Sequence, residues 1–315
     1  MANLQISAEV MLPLFLMMAL GYILRHLFSL DEHWVRTTNT VIFRLLLPLL
    51  LFRNMYESDI AGILDPETLG IALLCVGGVT VTFLLLYVLV PRMEPEDSRR
   101  GVLIQGIFRG NTAIFGIPVA TQLFGEGHIA LTVLLVSCVV PLLNVLSVIA
   151  LERFRAGKTD VRKMLLEIVK NPLIIAIMMG IVMNLLHIGL PSIIKSTAWS
   201  LSNCTTPISF LTLGASFTFA SAVKNRKALT GAVLARLFIV PFIWIGLAGL
   251  LGYRGQQIAG VMLIFAPSTA VSSFPMACAM GGDAQLSSEI VVFTSAFCML
   301  SMFLWIFGLK SLGWM

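Results

Sequence analysis

Two polar, proline-bearing stretches interrupt very hydrophobic segments of the chain. They are residues 106–118, GIFRGNTAIFGIP, and residues 266–275, APSTAVSSFP. Proline removes a backbone donor and glycine loosens a helix, so both stretches are expected to unwind and leave free N–H and C=O groups at membrane depth. The helices that resume after the two breaks would point the partial positive charge of their N-termini at one spot. That arrangement favours an anion, typically a carboxylate.

Side chains in the two stretches could complete such an anion site. Arg109 directly precedes Gly110 and Asn111, and its guanidinium could offer a bidentate fork to a carboxylate. The alternative is that Arg109 extends to the cytoplasmic surface or pairs with backbone carbonyls. The other predicted substrate-binding residues are Asn111, Thr112, Pro118, Pro267, Ser268, Thr269, Ser272, Ser273 and Pro275. Two simple proline kinks are the plainer interpretation, but the pairing of polar breaks in the two halves favours a site.

Other charged residues in apolar segments are not predicted to bind substrate. Arg44 and Arg236 lie nearer the ends of their predicted helices, so we expect both side chains to extend to the membrane surface. No Asp or Glu lies in the middle of a predicted span, which weakens a proton- or sodium-coupled mechanism without excluding it. Glu289, a turn or two into the last span, is the strongest exception.

The chain repeats itself at low resolution. Landmark prolines and glycines recur with an offset of 159 residues, which shortens to 157 at the last pair. The pairs are Pro13 and Pro172, Gly21 and Gly180, Pro48 and Pro207, Gly101 and Gly260, and Pro118 and Pro275. Duplicated units with matching interrupted helices are typical of secondary transporters. The predicted units are residues 1–152 and 164–315, joined by a short basic linker at 153–163.

Composition indicates a membrane protein. Hydrophobic residues make up 58%, charged residues 12%, and the mean hydropathy is +0.94, whereas a soluble domain carries about a quarter charged residues. The five cysteines lie in apolar stretches without paired spacing, so neither disulfides nor metal ligands are expected. Ten segments are long enough to cross a bilayer, near 8–28, 35–56, 68–90, 100–124, 127–151, 164–187, 193–220, 228–251, 256–281 and 286–309.

The basic residues predict the orientation of these spans. If the loops after spans 1, 3, 5 and 7 face the cytoplasm, they hold 14 Lys and Arg, against 4 on the opposite side. Both termini are then non-cytoplasmic. Because five spans per unit is an odd number, the second unit enters the membrane upside down. The net charge of +5 therefore reflects topology, and no nucleic-acid partner is expected.

The chain resembles the auxin efflux carrier family, which includes plant PIN-type auxin carriers and bacterial permeases for malate and malonate. The likeness covers nearly the whole chain. It rests on Asn39 and the run PLLLF at 48–52, on GNTAIFGIP at 110–118, and on a series in the second half. That series is NP at 171–172, GLP at 189–191, LS at 201–202, Pro207 and LG at 213–214.

The resemblance implies an all-α membrane protein of ten transmembrane helices in two inverted five-helix repeats, as in bile-acid transporters and Na⁺/H⁺ antiporters. Helices 4 and 9 would be broken and would cross. Helices 1, 2, 6 and 7 would form a scaffold and homodimer contact, against which the other six move like an elevator. By this likeness Asn111 binds substrate, and Pro118 and Pro275 are the crossing prolines. The plant carriers' long loop between the halves is absent, so regulation through it is not expected.

The sequence thus predicts a secondary transporter of a small organic anion, a mono- or dicarboxylate, in the plasma (inner) membrane. The alternative is a sodium- or proton-coupled organic-anion symporter of the bile-acid-transporter type. A membrane sensor is disfavoured because no attached signalling domain is visible. An enzyme is not expected, since the four histidines lack metal-ligand spacing and no nucleophile and base pair stands out. No cofactor or metal is expected, and the predicted partners are the anion, the lipid bilayer and a second copy of the chain.

Overall fold

The computed structural model describes residues 2–58, 66–125, 129–155 and 161–315, and helices make up nearly all of them. Within these ranges the only extended pairing is a single antiparallel bridge between Gly110 and Thr269. The first half contains α1 (Ala2–Leu27), α2 (Glu32–Val41), the π-helical segment π1 (Ile42–Leu46), α3 (Leu47–Tyr56), α4 (Pro66–Met93), α5 (Asp97–Phe108), α6 (Thr112–Phe124) and α7 (Ala130–Arg153).

The second half contains one π-interrupted helix and several broken helices. Its elements are α8 (Val161–Val169), α9 (Pro172–Leu185), α10 (Ser192–Asn203), α11 (Thr205–Ser216), α12 (Phe219–Lys224), α13 (Arg226–Leu234), the π-helical segment π2 (Ala235–Ile239), α14 (Val240–Leu250), α15 (Gln256–Phe265), α16 (Ser273–Met280) and α17 (Ala284–Ser311). The middle of the predicted linker, 156–160, lies outside the described residues.

Within the described ranges, five continuous helical stretches are long and apolar enough to cross a membrane, so the protein is an all-helical membrane protein. They are Glu32–Tyr56, Thr68–Met93, Ala130–Arg153, Arg226–Leu250 and Ala284–Ser311, and four shorter apolar helices accompany them. Each of the ten predicted spans falls on helix, but several are divided. The count of ten crossings stays a prediction.

Predicted spans 6 and 7 differ from the observed helices in their continuity. Span 6 is divided at Asn171, whose side-chain oxygen accepts from the Leu173 N–H at 3.0 Å and caps α9, with Pro172 at its first position. The backbone N–H at the start of a helix has no partner within the helix, so proline, which lacks that N–H, costs no hydrogen bond there. Inside a helix it would remove one. Span 7 is divided at Cys204, between α10 and α11. Pro172 therefore marks a helix boundary within the predicted span.

Both π-helical segments come just before a proline. The N–H of Leu47 bonds to the carbonyl of Ile42, and the N–H of Val240 bonds to that of Ala235, each one residue wider than α-helical spacing. Pro48 and Pro241 follow directly. Because proline cannot donate to the carbonyl four residues earlier, the wider turn absorbs the mismatch. Each π segment carries an arginine, Arg44 or Arg236.

Close contacts between glycines and backbone bring α1 against α11 and α3 against α9. A Cβ on Gly21 would lie 2.1 Å from the carbonyl oxygen of Leu211, and one on Gly180 would lie 2.7 Å from that of Phe52. On α11, a Cβ on Gly214 would lie 1.9 Å from the carbonyl oxygen of Met18. Only glycine allows these helix backbones to touch, as is common between membrane helices.

The core lies around the middle of α5 and α15. Every residue of α5 from Gly101 to Phe108 and of α15 from Ile258 to Phe265 is buried. By contrast, α1 and α4 leave many leucines exposed, as expected of lipid-facing helices. The two helices that carry the polar breaks are therefore the most enclosed elements of the molecule.

The backbone contact at Gly214 yields the first prediction. Gly214→Val should lower the melting temperature of the purified protein by at least about 4 °C, because the new side chain overpacks the α1–α11 contact. Thermal unfolding followed by intrinsic fluorescence measures the change. Gly246→Val is the matched control, since a Cβ there meets no atom within 4 Å. Equal melting temperatures for the two variants would contradict the assigned contact.

Candidate functional site

Two interrupted helices cross at the centre of the molecule. One break separates α5 from α6 at residues 109–111, and the other separates α15 from α16 at 266–272. The breaks meet as a two-residue antiparallel pair: the Asn111 N–H donates to the Ser268 carbonyl at 2.8 Å, and the Ala270 N–H donates to the Arg109 carbonyl at 3.1 Å. Both interruptions lie within the stretches singled out from the sequence. We call residues 109–111 and 266–272 the crossover.

Arg236 satisfies the carbonyl groups that the breaks leave open. Its Nε donates to the Pro267 carbonyl at 2.8 Å, and its Nη1 donates to those of Ile107 and Phe108 at 3.2 and 3.0 Å. The side chain is fully buried. The expectation that Arg236 extends to the membrane surface is therefore wrong, because three carbonyls freed by the broken helices offer the guanidinium enough partners inside. Arg44, by contrast, is exposed.

Further contacts tie the crossover to its neighbours. The Thr269 hydroxyl donates to the Gly106 carbonyl at 2.6 Å, and the Thr269 N–H donates to the Thr294 hydroxyl at 3.2 Å. Gln105 donates to the Ser273 carbonyl at 3.0 Å. A Cβ on Gly110 would lie 2.1 Å from Arg236 Nη2, so no larger residue fits there without displacing that arginine.

A cavity of about 80 Å³ lies beside the crossover. The crossover contributes Arg109, Gly110, Asn111 and Ser272 to its wall, and the first turn of α6 contributes Thr112. The facing walls come from three other helices: Leu47, Leu50, Leu51 and Asn54 of α3, Val140, Leu143 and Asn144 of α7, and Thr205, Thr206 and Ser209 of α11. One side of the cavity is polar and the α3 side is largely apolar.

Arg109 brings a positive charge to this cavity. Its guanidinium is buried and donates to Asn144 Oδ1 at 2.6 Å and to Ser272 Oγ at 2.7 Å, and it contacts Met276 Sδ. All of these partners are neutral, and no carboxylate among the described residues lies within 4.0 Å of it. The alternative in which Arg109 extends to the cytoplasmic surface is therefore wrong. A buried cation without a countercharge is costly and marks a site where an anion is favoured.

The first turn of α6 adds donors to the same wall. Thr112, Ala113 and Ile114 all line the cavity, and N–H groups in the first turn of a helix have no intrahelical partner. The Thr112 hydroxyl is also buried without a hydrogen-bond partner. Of the two resuming helices, only α6 presents its first turn in this way. The α16 N–H groups of Ser273 and Phe274 bond to the preceding turn.

The remaining predicted site residues lie outside the cavity wall. Ser268 and Thr269 are fully buried within the crossover, and the Ser268 carbonyl and the Thr269 hydroxyl join the two broken helices. Ser273 is buried at the start of α16. The prolines occupy the helices and the crossover around the cavity: Pro118 in α6, Pro267 in the crossover and Pro275 in α16. Their contribution to substrate binding stays a prediction.

Sequence reasoning missed the polar residues that neighbouring helices bring to the cavity. Asn144 binds Arg109, and Asn54, Thr206 and Ser209 complete the wall. Asn144 had a readable signal, because it is the one amide side chain in the long apolar helix Ala130–Arg153. A lone polar residue in such a helix is expected to face the protein interior. The others needed the packing of α3 and α11 to be known.

Comparison with known proteins assigns the family. The family described as "Membrane transport protein" matches residues 6–306, nearly the whole chain. The chain belongs to this membrane transport family. An uncharacterized transporter of Methanothermobacter thermautotrophicus is 24% identical over 300 residues, 95% of this chain and 97% of that protein. One of Methanocaldococcus jannaschii is 24% identical over 315 residues, 95% of this chain and 98% of that protein. The resemblance stated from the sequence is confirmed, and a membrane transporter is consistent with the absence of enzymatic motifs.

The role of Arg236 in this transporter can be tested by substitution. Arg236→Gln should greatly reduce the yield of folded protein, because each buried carbonyl that loses its donor costs about 1–3 kcal/mol of folding free energy. Size-exclusion chromatography of detergent-extracted protein measures the folded fraction. Arg44→Gln is the control, since it removes the same charge from the other π segment, where the side chain is exposed. A folded Arg236→Gln protein with unchanged melting temperature would refute the role.

Proposed function

We propose that the protein is a secondary transporter that carries a small organic anion, a mono- or dicarboxylate, across the plasma membrane. The observation that carries this proposal is the buried guanidinium of Arg109, which lines a cavity at the crossover and has only neutral partners among the described residues. A bound carboxylate would supply the missing countercharge and accept bidentate hydrogen bonds.

The other groups around the cavity favour an anion over a cation. Donors predominate on the polar wall: the Arg109 fork, the Thr112 hydroxyl and the first-turn N–H groups of α6. The positive end of the α6 dipole adds to the same potential. In our proposal Asn111, which lines the cavity at the start of α6, holds a carboxylate oxygen through its amide. The apolar α3 wall would contact the carbon skeleton of the substrate.

The contacts at the crossover support an inverted repeat. Gly110 and Thr269, which pair in the antiparallel bridge, are separated by the 159-residue offset of the sequence repeat. The same offset maps the bond from the Asn111 N–H to the Ser268 carbonyl onto the bond from the Ala270 N–H to the Arg109 carbonyl. A two-fold axis in the membrane plane, passing through this bridge, relates the two units in our proposal. Units related in this way are common in alternating-access transporters.

The glycine contacts support the same relation in the scaffold. Gly21 meets Leu211, and the residues 159 positions away from these, Gly180 and Phe52, also meet each other. In our proposal α1, α2, α3 and α9 to α11 form the scaffold, and the remaining long helices form the moving bundle. The homodimer contact through the scaffold rests on the family resemblance.

A second cavity supports alternating access along the boundary between scaffold and bundle. It has a volume of about 390 Å³, and its lining includes Arg25, Arg36, Phe274 and Gln285. Arg36 and Asn54, which line the two cavities, lie near opposite ends of one membrane-spanning stretch, roughly 27 Å apart along a helix. Movement of the bundle against this boundary would open the crossover to each side in turn.

Proton or sodium coupling is the alternative, and one buried carboxylate favours it. Glu289 is fully buried in α17 and accepts hydrogen bonds from Asn225 at 2.9 Å and from Gln285 at 3.3 Å. Buried carboxylates in membrane carriers often bind the coupling ion. For a metal ion, no group of three or more His, Cys, Asp or Glu is found among the described residues.

Uptake into proteoliposomes tests the proposal and separates the alternatives. Purified protein would be assayed with labelled mono- and dicarboxylates under imposed voltage, proton or sodium gradients. Saturable uptake driven by voltage alone would establish an anion uniporter. Uptake that needs an ion gradient, and loses that need in Glu289→Gln, would establish coupling. No saturable uptake of any carboxylate would sink the anion proposal.

Removing the charge of Arg109 should abolish this uptake. We expect Arg109→Gln to reduce carboxylate uptake at least about thirtyfold, since losing one partner of a buried charged hydrogen-bond pair typically costs about 2–5 kcal/mol of binding free energy. The initial uptake rate in proteoliposomes measures the loss. Arg44→Gln, which removes an exposed positive charge elsewhere, should transport normally. Unchanged transport by Arg109→Gln would remove this arginine from the site.

Asn111 provides an independent test of the binding site. Asn111→Ala should abolish the rise in melting temperature that the transported carboxylate produces, while the melting temperature without substrate changes little. The physical reason is that the amide contacts the ligand, whereas its own backbone N–H still bonds to Ser268. Thermal unfolding with and without substrate measures both values. A ligand-induced rise equal to that of the unmodified protein would exclude Asn111 from the site.

A further inference from the structure

A third cavity, the largest of the three, lies away from the crossover on the outer side of the predicted bundle. It has a volume of about 870 Å³ and lies between α4 and the continuous stretch formed by α13 and π2. Its walls are mostly apolar: Leu86, Leu89 and Val90 from α4, Leu103 and Ile107 from α5, and Ala235 and Ile239 from π2. Leu89 and Ile239 are also exposed on the outer surface, so the cavity borders the lipid-facing side.

One end of this cavity is strongly basic. Lys224, Arg226 and Lys227 line it at the start of α13, and all three are exposed. Within the described part of the chain, none of the three has a carboxylate within 4.0 Å. Arg99, also in the wall, is already balanced by Glu94 and Asp283 at 3.7 Å. The rim therefore carries three positive charges without an ion-pair partner among the described residues, although Glu94 also lines the cavity.

The dimensions fit an amphiphile. Arg226 at the rim and Ile239 at the far wall are 13 residues apart along one helical stretch, which corresponds to roughly 20 Å. Half of the hydrocarbon core of a bilayer is about 15 Å thick, so the apolar part of the cavity runs the length of one leaflet. A ligand with an anionic head and a long hydrocarbon tail matches both ends.

We propose that this cavity binds one anionic phospholipid from the leaflet that contacts the start of α13. The phosphate-bearing headgroup contacts Lys224, Arg226 and Lys227, and an acyl chain lies between α4 and π2. Basic pockets between membrane helices bind anionic headgroups in this manner. The lipid site is separate from the anion cavity and does not depend on the proposed transport function.

Lipid bound in this cavity should also stabilise the crossover. Ile107 lies next to Phe108, and Ala235 lies next to Arg236, whose guanidinium joins the broken helices. An acyl chain packed against these residues would bury more of their apolar surface, so bound lipid should stabilise the fold. Thermal stability is therefore a readout that needs no transport assay.

Charge substitution tests the headgroup contact. The full chain in detergent would be titrated with phosphatidylglycerol, with zwitterionic phosphatidylcholine and with soluble glycerol phosphate, and binding would be read by native mass spectrometry and by melting temperature. We expect stabilisation by phosphatidylglycerol alone, and about tenfold weaker binding for the double substitution R226Q/K227Q. The charge-matched control K170Q/K310Q changes two exposed lysines away from the cavity and should bind as the unmodified protein does.

Filling the cavity tests the acyl contact without altering charge. A Cβ on Gly231, which lines the cavity, meets no atom within 4 Å, so Gly231→Leu should fold and occupy the acyl space. We expect about tenfold weaker phosphatidylglycerol binding, with Gly246→Leu on α14 as the control. Any of three results would overturn the proposal. They are equal affinity for phosphatidylcholine, equal stabilisation by glycerol phosphate, and unchanged phosphatidylglycerol binding by both R226Q/K227Q and Gly231→Leu.

Discussion

Backbone polar groups at membrane depth must find partners, and this constraint organises the centre of the molecule. Breaking a helix in a lipid environment exposes N–H and C=O groups, each costing several kcal/mol if it stays unpaired. Here two breaks satisfy each other through the Asn111–Ser268 and Ala270–Arg109 bonds. Arg236 takes up the carbonyls that this pairing cannot reach. The broken helices are thus stable only as a pair, which explains why both halves of the chain carry one.

Two arginines at the crossover have opposite electrostatic situations. Arg236 is surrounded by carbonyl oxygens, whose negative ends compensate much of its charge, and it lies behind Gly110. Arg109 has an amide oxygen, a hydroxyl and a thioether, and it faces a cavity. A guanidinium that donates to backbone carbonyls has a structural role. A guanidinium whose partners are weak and neutral can still form strong hydrogen bonds with an anion. The difference comes from surroundings, since both residues are equally buried arginines.

The breaks were predictable from sequence because proline and glycine act locally, and their effect on a helix needs no knowledge of tertiary packing. The same reasoning placed Arg109 and Asn111 at the break. It failed for Arg236, because the carbonyls that hold it belong to α5 and the crossover, 31 to 129 residues away along the chain. It also missed Asn144, since which face of α7 meets Arg109 depends on helix rotation. Span 6 is divided because Asn171 caps a new helix that begins at Pro172, whereas no side-chain cap accounts for the division of span 7 at Cys204.

The distribution of hydrogen bonds indicates which parts of the molecule can move together. The hydrogen bonds of the crossover that the structure describes link its two breaks to each other or join it to α5, α6, α7, π2, α15, α16 and α17, all of them outside the proposed scaffold. Among the described residues, no hydrogen bond joins the crossover to α3 or α11, the helices that form the opposite wall of the anion cavity. The α3 part of that wall is largely apolar, with Leu47, Leu50 and Leu51 lining the cavity. Because apolar contacts are not directional, the movement of the bundle proposed above would slide the crossover along this wall without breaking the hydrogen bonds that hold it.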